Sequence, residues 1–105
     1  MIDIWYHIQG TEPPRRPTTV NNFTGKNISQ LAQAIVYNSR LDISPDVLEL
    51  HVKPKGAGEG VDLYDIEKEE TDFNKLITDY EIKKLNPIIV RLPGMLLVLL
   101  FLSWL

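Results

Sequence analysis

The sequence predicts an α+β domain in which a mixed sheet curls around one main helix, and three stretches carry that prediction. Residues 27–39, NISQLAQAIVYNS, set Ile28, Leu31, Ala32, Ile35 and Ser39 at helical spacing, with Gln30, Gln33, Tyr37 and Asn38 on the other side. Residues 2–9 alternate instead, Ile2, Ile4, Tyr6 and Ile8 against Asp3, Trp5, His7 and Gln9, which is the period of a half-buried strand. Residues 88–92, IIVRL, are an apolar run of the kind that fills a central strand. A helix of this length is marginal alone and needs an apolar surface, which the extended segments on both sides supply.

Taken in order, the first strand stops at Gly10, and the three prolines and two arginines of residues 11–17 make a connection with no element of its own. Residues 18–23 form a second strand antiparallel to the first, with Thr18 and Val20 expected to face the helix. Gly25 turns the chain, Asn27 caps the helix, and Gln30 three places on completes an amide form of the capping box. The helix ends near Arg40, and Pro45 prevents its resumption. A third strand is expected over residues 46–53, with Leu48, Leu50 and Val52 inward and Glu49, His51 and Lys53 outward, closed by Pro54. KGAGEG, residues 55–60, is a turn, and residues 62–72 read as a mainly solvated acidic loop around a short strand. Asp72 caps a short helix through Phe73, Leu76 and Ile77. This order of elements is that of the ubiquitin-like β-grasp.

A chain of 105 residues makes one modest core. Its net charge of −3, with no basic run beyond Arg15-Arg16, speaks against nucleic acid as a partner. The chain has no cysteine, so disulfides and thiolate chemistry are excluded. The opening MIDIWYHIQG lacks the charged-then-apolar layout of a cleaved secretory signal.

No catalytic constellation is visible, and an enzyme is not expected. His7 and His51 both sit at outward parity, and a metal would need them at matched height with a third ligand such as Asp3 or Glu49; a solvated sheet face is the simpler reading. Ser29, Ser39 and Ser44 belong to no histidine-containing motif. Gly56, Gly58 and Gly60 follow a strand but lack the lysine and hydroxyl of a phosphate loop, so neither cofactor nor small-molecule substrate is expected. Asn22-Phe23-Thr24 and Asn27-Ile28-Ser29 fit the N-glycosylation pattern, which occurs often by chance, and the second overlaps the helix cap. Trp5, with His7, is the candidate partner surface, since an aromatic on an open sheet face anchors protein partners well.

The opening IDIWYHIQG resembles the first strand of the ubiquitin-like N-terminal domain that heads crinkler-type effectors of oomycetes and some fungi. In the third strand, Leu50 and Val52 take the places of the two leucines of that family's Leu-Phe-Leu-Ala-Lys motif. His51 stands for the phenylalanine, Lys53 for the alanine and Pro54 for the lysine, with Lys55 one place late. The departure weakens the motif as a translocation signal, although the fungal branch is looser here. Ile88, Ile89, Val90, Leu92 and Pro93, in IIVRLP, are similar to the motif that closes the crinkler N-terminal domain. The resemblance spans about residues 2–93 and implies a non-catalytic ubiquitin-like module, residues 1–93, linked to secretion and delivery into a host cell. Such modules precede a variable, often toxic effector domain, which is not expected within these 105 residues. A protein partner is expected.

The competing expectation is a cytoplasmic ubiquitin-like adaptor. Conjugation is not expected, because Gly94 stands alone where a modifier has paired glycines. Residues 94–105 form an apolar tail outside the expected fold. As a helix, MLLVLLFLSWL spans about 16 Å, roughly half of a ~30 Å hydrocarbon core, so a truncated reading frame is favoured over a membrane anchor or membrane contact.

Overall fold

A computed structural model describes residues 2–11, 13–54, 58–67 and 72–92. In chain order these form β1 (Ile2–Gln9), β2 (Thr18–Phe23), α1 (Ile28–Ser39), a 3-10 turn (Pro45–Val47), β3 (Glu49–Val52), β4 (Val61–Asp62), α2 (Leu63–Glu67), α3 (Phe73–Tyr80) and β5 (Ile88–Arg91). The five strands make one sheet in the order β2-β1-β5-β3-β4. β1 and β5 are parallel and the other pairings antiparallel, so the first and last strands meet at the centre. This is the mixed sheet and main helix that the sequence predicts.

Alternation buries Ile4, Tyr6 and Ile8 from β1, Leu50 and Val52 from β3, and Ile88 and Val90 from β5. Ile28, Leu31, Ala32 and Ile35 of α1 join them in a single cluster. Each large side chain fully removed from water contributes about 1.5–3 kcal/mol, which offsets the marginal helix propensity. Asn27 caps α1 by accepting from the Gln30 N–H at 2.8 Å. The Gln30 side chain accepts from the Lys26 N–H, one residue before the cap, and Glu67 of α2 accepts from the Ile28 N–H at 3.3 Å. A carboxylate there suits the positive end of the helix. The other end closes with Arg40 in the left-handed region at φ 53°, its N–H donating to Tyr37 and that of Leu41 to Val36 at 3.0 Å. α3 ends the same way on Glu81, φ 49°.

Three expectations need correction. Thr18, although paired with Tyr6, lies at the end of an edge strand and stays exposed. A bulge sets Asn21 and Asn22 against Asp3, whose carboxylate accepts from the Asn22 N–H at 3.0 Å, and the inward positions of β2 become Val20 and Phe23. The third strand starts at Glu49 and not at residue 46, because Pro45 begins a 3-10 turn whose Asp46 N–H donates to Ser44 Oγ. Leu48, Leu50 and Val52 are nonetheless all buried. The acidic loop is in part α2, with Leu63 fully buried and Asp62 accepting from the Tyr64 N–H at 2.9 Å. That aspartate is a cap before it is a charge.

Gly25 is required by close approach, since a Cβ there would fall 2.3 Å from the Phe23 ring. The same ring meets Phe73 edge-on, centroids 5.2 Å apart, and so holds the start of α3 to the sheet. Residues 94–105 lie outside the described residues, and no described helix is long and apolar enough to cross a membrane.

Candidate protein-binding face

Helices pack against one face of the sheet. The other face is laid out in rows by strand register. One row runs His7, Ile89, His51, Asp62 across β1, β5, β3 and β4. The next runs Gln9, Arg91, Glu49, and Trp5 lies opposite Thr19 on the other side of His7. Trp5, His7, Ile89 and His51 are all half-buried.

Trp5 is less exposed than its parity suggests. It is half-buried, and Lys84, from the turn that leads into β5, sets its Nζ 6.0 Å from the ring centroid. That spacing is the outer limit of a cation–π contact. His7 donates from Nε2 to the Arg15 carbonyl at 2.8 Å, which ties the β1–β2 connection down beside it and takes that nitrogen out of reach of a metal. His51 lies in the same row with Ile89 between, two strand spacings or about 10 Å away. Among the described residues no group of three or more His, Asp or Glu side chains could hold a metal ion.

The motif positions divide by parity. Leu50, Val52, Ile88 and Val90 are core residues, each at most 1% exposed, so packing accounts for their apolar character. His51 and Ile89 are half-buried on the open face, Leu92 is half-buried, and Lys53 is exposed. Lys55 and Pro93 lie outside the described residues. Of the serines, Ser39 is hydrogen-bonded to Tyr6 OH and Ser44 caps the 3-10 turn. Asn27 is engaged as a helix cap, whereas the Asn22 side chain is exposed in the bulge.

Two sets of side-chain hydrogen bonds, centred on Tyr6 and on Asn86, hold the sheet in shape. Tyr6 OH accepts from Asn38 Nδ2 at 2.7 Å, and the same amide donates to Thr19 O, so the end of α1 is stitched to β1 and β2. Arg15 adds a bond from Nη1 to Ser39 O at 3.1 Å. Asn86 is buried, and its Nδ2 donates to Lys53 O at 3.0 Å and Tyr80 O at 2.9 Å, pinning the end of β3 to the end of α3. An inward tyrosine must find a partner for its hydroxyl, so Tyr6 with Ser39 is a legible signal. Asn86, in a polar turn, gives none.

A family described as a domain of unknown function (DUF8732) matches this chain over residues 2–93. No curated protein matches it, and no solved structure does.

Proposed function

The chain belongs to the DUF8732 family, and on other grounds, its open sheet face and its sequence resemblance, we propose that it is a non-catalytic, ubiquitin-like protein-binding module of the kind that heads crinkler-type effectors, secreted and delivered into a host cell. The observation that carries the binding part is the open face. Trp5 and Ile89 are large and half-buried on the face opposite the described helices, and they stand among polar residues as an anchor stands within the rim of an interface. What supports the delivery part is the crinkler resemblance at residues 2–10 and 88–93. Those stretches include β1 and β5, which lie side by side at the centre of the sheet.

Export is the test. Residues 1–93 fused to a reporter should leave the producing cell under infection-like conditions and enter the host cell. A reporter that stays wholly inside hands the reading to its alternative, a cytoplasmic adaptor that uses the same face. One observation favours that alternative. Leu50 and Val52 are buried in the folded domain, which leaves His51, Lys53 and Pro54 of the described motif positions for a transport receptor to read.

A further inference from the structure

At the β3–β5 corner of the open face is a cavity of about 430 Å³, lined by His51, Lys53, Gly58, Glu59, Gly60 and Arg91. His51 points outward from β3, Lys53 follows just past the end of that strand, and Arg91 lies on the same face of β5. No described residue bonds to the side chains of His51, Lys53 or Arg91. Gly60 closes the wall: a Cβ there would stand 3.3 Å from His51 Cβ, so glycine lets the chain lie against the histidine. Two cations, Lys53 just past the end of β3 and Arg91 at the end of β5, neither partnered among the described residues, therefore line one hollow.

We propose that this cavity binds a single carboxylate, the side chain of an acidic segment in the protein partner that docks on the open face. The charge balance selects this class. Lys53 and Arg91 oppose one carboxylate in the lining, Glu59, which leaves one positive charge in excess when His51 is neutral. That matches a carboxylate better than a phosphoryl group, which carries about −1.5 to −2. The Arg91 guanidinium offers the planar fork that pairs with carboxylate oxygens, and Ile89, in the row beside it, extends the contact toward apolar side chains. Glu59 stands between Gly58, at φ +79°, and Gly60, and its negative charge in the lining opposes an incoming acid. Glu49, across the strands from Arg91, lies outside the cavity. The partner thus brings an acid to a protein that is itself acidic.

This rests on the open-face reading, but the test separates the two. The isotope-labelled full chain is titrated with a blocked di-glutamate peptide, with di-glutamine and inorganic phosphate in parallel. Amide shifts at residues 51, 53, 60 and 91 should saturate with di-glutamate only. Lys53→Gln and Arg91→Gln should each weaken binding about fivefold, the loss of one Coulomb contact at ~4 Å in water, and Glu59→Gln should tighten it by a similar factor. Trp5→Ala should leave peptide binding unchanged while removing the partner, so partner binding that survives Trp5→Ala sinks the open-face reading alone. The carboxylate site is overturned if di-glutamine or phosphate binds as well as di-glutamate. It is also overturned if Glu59→Gln fails to tighten binding, or if shifts at these residues appear on concentrating the protein without peptide, which would mark self-association.

Discussion

The two faces of one sheet obey different rules. On the covered face, Ile4, Tyr6, Leu50 and Val90 are shut from water and α1 decides what fits. On the open face the same strands present Trp5, His7, His51 and Ile89, half-buried, where only Lys84 and the Arg15 carbonyl are seen to touch Trp5 and His7 among the described residues. Packing chooses residues on the first face, and chemistry toward a partner remains free to choose them on the second. Alternating positions of a single strand therefore record two separate demands.

The largest expected break in that contrast is on the covered face. Ile35 is fully buried within the α1–sheet cluster, so Ile35→Asp places an unpaired charge in the core and costs several kcal/mol. A domain with about 5–10 kcal/mol of stability should then be unfolded, read as loss of a cooperative melt. A mutant that melts near the parent's temperature would refute the placement of that helix face.

Asn86→Ala is next. It orphans the Lys53 and Tyr80 carbonyls and should cost about 1–3 kcal/mol in urea unfolding, with an unchanged slope. Trp5→Ala on the open face should cost less than about 1 kcal/mol, because a half-buried side chain leaves no closed cavity behind. A loss as large as that of Asn86→Ala would mean that Trp5 belongs to the core and that the contrast between the faces fails there. Deleting residues 95–105 should shift the melting temperature little while raising solubility, since the five described strands already form one sheet through β5 and ten apolar residues in that stretch would favour association if left in water.

The smallest effect is a titration. Burial chiefly, then Glu67, Asp46 and Asp62, raises the Tyr64 phenol above its ordinary 10.0, against a hydrogen bond with Ser29 that lowers it. A raised folded value means that the neutral phenol is favoured in the native state. Its contribution is complete below the unfolded value and is lost as pH climbs through the folded one. Tyr64→Phe should flatten the alkaline fall of the melting temperature between about pH 9 and pH 11.

Legibility follows element length. β1 and α1 run 8 and 12 residues, long enough for a period of two or of 3.6 to repeat, and of the inward residues that their periods predict Ile4, Tyr6, Ile8, Ile28, Leu31, Ala32 and Ile35 are buried while Ile2 and Ser39, at the element ends, are half-buried. The errors fall on short elements. β4 has 2 residues and α2 has 5, too few for any period, so the acids of residues 62–72 read as solvent charge although Asp62 caps α2 and Glu67 caps α1. The bulge at Asn22 moves the inward parity of β2 by one place, and nothing in the local pattern announces it. At the candidate site, Trp5 and His7 are visible in the sequence because parity exposes them. The convergence of Lys53 with Arg91 is not, because it depends on which strands become neighbours.

The parallel pairing of β1 with β5 has a mechanical consequence. Its four register pairs, from Tyr6–Ile88 to Gln9–Arg91, tie the first strand of the domain to the last. Because the strands run in the same direction, tension between the start of β1 and the end of β5 draws them past each other, and the ladder bonds carry the load together. An antiparallel edge such as β1–β2 can peel one bond at a time. A machine that threads this domain through a pore by pulling would meet its greatest resistance at the centre of the sheet. The same pull would meet least resistance before β5 has docked.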